Sequence, residues 1–209
     1  MSTPAARLAA GAAQLGVPVD DTQVGKLLRL STELLRWNQA YNLTAITDPE
    51  EVLTHHLLDS LSAHADLAGQ EIADVGTGAG FPGLPLAIVN PQRRFTLIDA
   101  VDKKLRFIAH AARELDLQNV TTRHARVEDL QPAQPFDMVM ARAFAPLPRM
   151  LQLVTPLCSD TTVILAMVGR WPREAAEGEG IPPAWRLLRQ RRVQVPGLEA
   201  ERHILLLSR

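Results

Sequence analysis

Asp74 stands two residues ahead of a glycine-dense turn, Gly76-Thr77-Gly78-Ala79-Gly80-Phe81-Pro82-Gly83. Asp99 closes a second apolar run roughly twenty residues further on. Glycine in such a turn takes positive φ and lets bare backbone approach a bound molecule. Pro82 suits a first helical position, where its missing N–H costs nothing. Residues 71–83 therefore predict a strand, a turn and a helix start built around a small-molecule site. Two frames fit. Gly78-x-Gly80-x-x-Gly83 matches the dinucleotide fingerprint, but Gly76 already makes the turn after the strand, which leaves that frame awkward. In the other, Asp74-x-Gly76-x-Gly78-x-Gly80, a carboxylate at the strand tip would repel an anionic pyrophosphate and answer a ligand carrying positive charge.

The second frame is the pattern of S-adenosylmethionine-dependent methyltransferases, whose ligand carries an α-amino group and a sulfonium. Asp99 at its strand end can accept both hydroxyls of a ribose. This does not separate the two ligands, since both contain adenosine, and Asp99 has a second use as N-cap of the helix that follows. Arg126-Val127-Glu128-Asp129 comes after the third strand, where backbone groups and an acid can meet an adenine edge; a solvated loop is the competing reading. Other chemistry finds little support. His55-His56-x-x-Asp59 lacks the spacing of a zinc hydrolase and reads as core or surface. Cys158 reads as a structural thiol, and no phosphate-binding G-x-x-x-x-G-K-[ST] is present.

The acceptor is addressed by Asp137-Met138-Val139-Met140-Ala141-Arg142-Ala143-Phe144-Ala145, because ligands lie at the C-terminal ends of strands in open α/β sheets. The polar-Pro-Pro-aromatic tetrapeptide of exocyclic-amine methylation is missing. So is the nearby cysteine that methylation of a pyrimidine carbon needs. An acceptor with a free lone pair remains, and guanine N7 is one: it carries no proton near neutrality, so alignment and exclusion of water suffice. The Arg142 fork can reach guanine O6 or a phosphate while leaving N7 free. An ion pair to the loop or to Asp74 is its alternative use.

These residues need elements to hold them. The first seventy residues read as helical, with Val24, Leu27, Leu28, Ser31, Leu34 and Leu35 in one stripe. Asp20 or Asp21 is the expected cap, with Thr22 as the other choice, and Asn42 the expected end. A second helical stretch starts at Asp48-Pro49-Glu50-Glu51. Strands are then expected at 71–75, 95–99, 119–124, 136–140, 161–167, 185–195 and 202–207. Helices fall near 82–90, 102–116, 147–155 and 172–178. This alternation predicts an α/β, Rossmann-like methyltransferase fold with a mostly parallel sheet of about seven strands. Its last two strands form an antiparallel hairpin across 196–201. Residues 1–68 form a helical cap and 69–209 a single compact methyltransferase domain, with 174–183 a mobile connection.

Composition bounds the class. The chain has 209 residues, 46% of them hydrophobic, and one cysteine, which fits a reducing compartment. With no apolar run of spanning length and no basic flank before an apolar N-terminal core, a cytoplasmic location is expected. The net charge of −1 hides an asymmetry: −6 over residues 1–92 and +5 over 93–209. Arg123, Arg126, Arg142, Arg186, Arg189, Arg191, Arg192 and Arg202 form either a surface for phosphates or, over 186–192, a charge-protected strand edge.

Several motifs then run together: Trp37-Asn38-x-x-Tyr41-Asn42-Leu43-Thr44-Ala45-Ile46, His56-x-x-Asp59-Ser60 and Asp74 through Gly83. Arg126-Val127-Glu128, Ala141 through Ala145 and Glu201-Arg202-His203 complete the set. Over roughly residues 25–209 the chain resembles the bacterial small-subunit ribosomal RNA guanine-N7 methyltransferases, also called the glucose-inhibited division protein B family. The resemblance implies S-adenosyl-L-methionine as cofactor, with Gly76, Phe81, Val127, Glu128 and Arg142 among its contacts. Asp74, Thr77, Gly78, Gly80 and Asp99 complete the expected cofactor set, and Arg142 and Arg126 are the expected catalytic residues. The implied partner is 16S ribosomal RNA or the small ribosomal subunit, at a guanine of the decoding-region loop. A monomer without metal or membrane contact is expected. The chain departs from the family at Ala79, where proline is usual, and at Met167-Val168-Gly169-Arg170, where a lysine is usual. The rival readings are a methyltransferase of a small metabolite, a nicotinamide oxidoreductase and a non-catalytic RNA-binding module.

Overall fold

The computed structural model describes residues 3–171 and 180–209. The helix expected near 172–178, and residues 174–179 of the expected connection, lie outside the described residues.

The N-terminal helices begin where capping chemistry allows. In α1 (Pro4–Gln14) the Thr3 hydroxyl accepts the Ala6 N–H and proline opens the helix. Helix α2 (Asp21–Tyr41) starts with a reciprocal cap: Asp20 accepts the Gln23 N–H at 2.7 Å and Gln23 accepts the Asp20 N–H at 3.1 Å. Its predicted stripe is buried at Val24, Leu27, Ser31 and Leu34, with Leu28 and Leu35 at the margin. It ends at Asn42, which turns left-handed at φ 49°. Asp48 caps α3 (Pro49–Val52), accepting from Glu50 and Glu51. The helix then widens into a π-helical stretch, Leu53–Leu58, and closes as α4 (Asp59–Leu61).

Strands and helices alternate from there: β1 (Glu71–Val75), α5 (Gly83–Val89), β2 (Arg94–Asp99), α6 (Asp102–Glu114), β3 (Val120–His124), β4 (Met138–Arg142), α7 (Leu147–Val154), β5 (Val163–Val168), β6 (Arg186–Val193) and β7 (Arg202–Ser208). The seven-stranded sheet has the order β3-β2-β1-β4-β5-β7-β6. Its first five members are parallel, and β7 runs antiparallel to both β5 and β6. Helices α1, α2, α5 and α6 cover one face over Leu27, Leu57, Phe95 and Phe107. Helix α7 covers the other over Val75, Val139, Leu151 and Leu205. The chain order reverses between β1 and β4, so a crevice opens at their C-terminal ends. The glycine turn and Arg142 both lie there.

Two boundaries moved for physical reasons. Strand β4 starts two residues later than expected because Asp137 is spent on a turn, accepting the N–H groups of Gln70 and Glu71. Arg142 thereby becomes the last strand residue, paired with Met167 of β5, instead of part of the following loop. Pro82 stands just before α5, after a cis peptide bond, and not at the first helical position.

The arginines of the outermost strand, β6, are partly committed inside the molecule. Arg191 donates Nε to the buried Asp66 carboxylate at 3.1 Å and Nη2 to the Ser62 carbonyl at 2.8 Å. Arg192 lies 3.6 Å from Glu201. Arg191 therefore clamps the sheet edge to the helical segment, which neither of the two sequence readings of this run anticipated. Removing one partner of a buried pair strands the other charge. Asp66→Ala is expected to lower the unfolding free energy by about 3–5 kcal/mol in urea titrations near neutral pH.

Candidate functional site

The glycine turn is folded around a carboxylate that water does not reach. Asp74 is fully buried, and its Oδ2 accepts the Thr77 hydroxyl at 2.6 Å and the Gly83 N–H at 2.8 Å. A side chain at Gly83 would put its Cβ 2.7 Å from that oxygen, so only glycine lets α5 start this close. At Gly76, φ is +64°, and a Cβ would fall 2.2 Å from the Phe144 ring. The Thr77 N–H donates to the Ile98 carbonyl at 3.1 Å, and the Gly80 and Phe81 N–H groups close the turn on the Thr77 carbonyl. The other carboxylate oxygen of Asp74 has no hydrogen-bond partner among the described residues.

Burial raises the pKa of Asp74 to about 6, against the opposing pull of the Thr77 and Gly83 hydrogen bonds and the Arg142 charge. Ionisation is therefore harder in the fold than in the unfolded chain. The associated stability is fully present below the unfolded value near 3.8 and is lost as pH rises through about 6. Asp74→Asn abolishes that dependence. Urea midpoints of the two proteins are expected to drift apart between about pH 4 and 6, the wild type losing on the order of 2–3 kcal/mol relative to the variant, and to run parallel above about pH 7.

Two adjoining cavities open above the turn. The smaller, about 370 Å³, is lined by Gly76, Asp99, Arg126, Val127, Glu128 and Phe144, among others. The larger, about 780 Å³, takes in Thr44, His56, Asp59, Phe81, Arg142 and Arg202. They share Gly76, Lys104 and Ala143. A third, of about 1020 Å³, lies under the β6–β7 connection against Gln14 and away from these residues.

The expected site residues distribute unevenly over this geometry. Gly76, Thr77, Gly78 and Phe81 line the larger cavity, while Asp99, Val127 and Glu128 line the smaller. Asp74 and Gly80 line neither: Asp74 works from beneath, and Gly80 spends its N–H on closing the turn. Asp99 Oδ2 accepts the Gly78 N–H and Oδ1 the Val101 N–H, both at 2.9 Å. It thus ties the turn to the start of α6, close to its predicted alternative, yet each oxygen keeps lone-pair capacity toward the cavity. Arg126 is exposed on the smaller cavity and Arg142 sits in the larger, so the two expected catalytic arginines line different cavities.

Arg142 is held by a bridge that the sequence did not disclose. Its Nη1 donates to Asp59 Oδ2 at 2.8 Å and to the His55 carbonyl at 2.9 Å. Asp59 is 1% exposed, and its other oxygen accepts Arg202 Nε at 2.9 Å. The π-helical stretch makes the carbonyl contact possible. The Asp59 N–H bonds to the Thr54 and His56 carbonyls in place of His55, and Arg142 donates to His55 instead. His56 completes the wall: its ring stacks on Phe81 with centroids 4.7 Å apart, and the Arg142 guanidinium lies 5.9 Å from the centre of Phe81.

Burial, then the Arg142 charge, lowers the His56 pKa to about 4, so the ring is neutral near pH 7. Its Nδ1 faces Arg142 Nη2 at 3.4 Å and its Nε2 faces Thr44 Oγ1 at 2.9 Å. Arginine only donates, which assigns the proton to Nε2. Asn38 fixes Thr44 in turn, accepting the Leu43 and Thr44 N–H groups and donating to the Thr44 carbonyl. Asp59 and Thr44 were not singled out for chemistry from the sequence, and Arg202, expected on a phosphate surface, is bound to Asp59. The available signal was the His56-x-x-Asp59 spacing, which puts both on one helix face, tested there only against a metal pattern.

Cys158 donates its thiol to the Val154 carbonyl, and burial pushes its pKa up to about 12, which suits a structural role. Among the described residues, no group of three or more His, Cys, Asp or Glu side chains is arranged to hold a metal ion. No helix among them is long and apolar enough to cross a membrane.

The strand order and the glycine turn at the switch point define a class I methyltransferase fold. The chain superposes on a SAM-dependent methyltransferase from Aquifex aeolicus with TM-score 0.56 at 16% identity, covering 78% of this chain and 94% of that one. On coclaurine N-methyltransferase the TM-score is 0.57 at 11% identity, covering 98% and 94%. The profile of the GidB family, rRNA small subunit methyltransferase G, matches residues 23–205. Ribosomal RNA small subunit methyltransferase G of Chromohalobacter salexigens is 46% identical over 209 residues, 99% of each chain. That of Aeromonas salmonicida is 44% identical over 192 residues, 92% of this chain and 91% of that one. The chain belongs to the rRNA small subunit methyltransferase G family.

Asp59→Asn weakens the bridge and leaves two half-buried guanidinium groups short of a counter-charge. Methyl transfer is expected to fall about tenfold, while S-adenosylhomocysteine affinity by calorimetry stays within a few-fold of wild type. Arg142→Ala should abolish turnover and also lower the thermal midpoint, because the buried Asp59 keeps only Arg202, with the fold retained by circular dichroism.

Proposed function

We propose that this chain transfers the methyl group of S-adenosylmethionine to N7 of a guanine in 16S ribosomal RNA of the small subunit, in the cytoplasm. Its relatives are named for small-subunit ribosomal RNA methylation. When bound, the cofactor supplies a methyl group made electrophilic by a sulfonium. The residues fit such a guest: Asp99 keeps lone pairs for a ribose diol, and Gly76 and Gly78 offer bare backbone with Phe81 beside it. The buried Asp74 adds negative charge beneath the turn, with one oxygen unpartnered. In this reading residues 1–68 supply the cap and 69–209 the methyl-transfer domain, and Thr44, His56 and Asp59 bring the cap into the acceptor wall.

One observation carries the choice of acceptor. Two acid–base groups at the larger cavity are already engaged, Asp59 by two arginines and His56 as a neutral ring between Thr44 and Arg142, while His55 also lines the cavity. The engagement of the two groups nearest Arg142 suits an acceptor atom that has no proton to lose, as guanine N7 does. Arg142, held at the mouth of the cleft, orients the base through O6 or a phosphate, and catalysis comes from alignment and exclusion of water. A small-metabolite acceptor would leave the flanking cations without a role.

The decisive substrate is 16S ribosomal RNA transcribed with 7-deazaguanosine, assembled into small subunits and compared with the unmodified particle. Label from S-adenosylmethionine is expected to reach the unmodified RNA and to be reduced to background when N7 is replaced by carbon. Undiminished transfer to the 7-deaza RNA would sink the N7 assignment.

A further inference from the structure

The motif Trp37-Asn38-x-x-Tyr41-Asn42-Leu43-Thr44 is only half used by the site. Asn38 shapes the acceptor wall through Thr44, whereas Trp37 and Tyr41 line neither of the adjoining cavities. Among the described residues Tyr41 is one of three exposed large hydrophobic side chains, at 42%. Its ring lies against Trp37, with centroids 5.2 Å apart and planes 29° from parallel. Trp37 is backed by Phe107 at 5.8 Å and His110 at 4.9 Å, both from α6. The Tyr41 ring is thus supported from behind while a large part of it meets solvent.

Its location follows from how α2 and α6 pack. They run antiparallel: Arg29 meets Glu114, Glu33 meets His110, and Trp37 meets Phe107. One turn further along α2 is Tyr41, and one turn back along α6 are Lys103 and Lys104. Lys104 lines both cavities with its Nζ 3.6 Å from Asp99 Oδ2, and Lys103 is exposed without an ion pair among the described residues. Two and three residues beyond Tyr41, Leu43 and Thr44 line the larger cavity. The aromatic ledge and Lys103 therefore stand a few residues from Leu43, Thr44 and Lys104, which line the larger cavity.

We propose that Tyr41, backed by Trp37, is a stacking platform for an unpaired base of the RNA substrate beside the one that enters the larger cavity, with Lys103 and Lys104 drawing the adjoining phosphates. This rests on the RNA substrate proposed above. Every nucleobase presents a π face, and a ring already held in place loses little freedom when a base settles on it. A single aromatic bordered by lysines suits a nucleic acid better than a protein partner, which would need a continuous apolar patch. Arg191 of β6 is a poorer candidate, because it is bound to the buried Asp66.

The test is anisotropy of a labelled single-stranded 16S ribosomal RNA fragment with wild type, Tyr41→Ala, Tyr41→Leu and Tyr41→Phe, alongside S-adenosylhomocysteine calorimetry and thermal midpoints. Tyr41→Ala is expected to weaken RNA binding about tenfold or more. Tyr41→Leu, which keeps apolar packing on Trp37, should weaken it similarly, whereas Tyr41→Phe should bind like wild type. Cofactor affinity and midpoints should hold in all four. Wild-type RNA affinity in Tyr41→Leu overturns the platform, as does equal weakening in Tyr41→Phe and Tyr41→Ala. Failure of the wild type to methylate ribosomal RNA would instead overturn the proposed function, while the anisotropy series still decides the platform.

Discussion

A carboxylate sealed from water organises the cleft. Asp74, next to last in β1, draws the Thr77 hydroxyl and the Gly83 N–H onto one oxygen. Those two bonds fold residues 76–83 into a turn and set the start of α5. Asp99 reaches from β2 to the Gly78 N–H and joins the turn to α6. The burial that raises the Asp74 pKa toward neutrality is the thermodynamic cost of this arrangement. Removing the acid would loosen the turn, and with it both cavity walls.

The wall of the larger cavity is built on a second buried acid and a different logic. Asp59 sits between Arg142 and Arg202 and turns two flexible side chains into fixed donors. A bidentate bridge of this kind trades desolvation for orientation, and orientation is what an alignment mechanism requires. His56 stays neutral because it is buried beside Arg142, so its ring serves as a wall and a hydrogen-bond relay to Thr44.

Much of the frame was legible from residue order. Asp20, one of three expected cap candidates, starts α2, and each expected strand appears within about two residues of its place. Boundaries slipped where a side chain took up a local task, as when Asp137 capped Gln70 and Glu71 and moved β4 toward Arg142. The π-helical stretch at Leu53–Leu58 left no trace in the pattern, since its apolar residues fit an ordinary helical stripe equally well. The arginines of 186–192 looked like surface, and only packing shows Arg191 reaching inward to Asp66.

The sequence by itself determined what short-range sterics and periodicity control: the glycine turn, the caps, the alternation of strand and helix, and the acids at two strand ends. Those follow from φ, ψ and side-chain spacing within a few residues, so order alone suffices. Tertiary structure decided that Asp74 lies under the turn and not in the cavity, and that Arg126 and Arg142 line separate cavities. It also brought Asp59 to Arg142 from 83 residues away. Such a contact depends on how the helical cap docks on the sheet, a balance of packing over the whole core that no local pattern encodes.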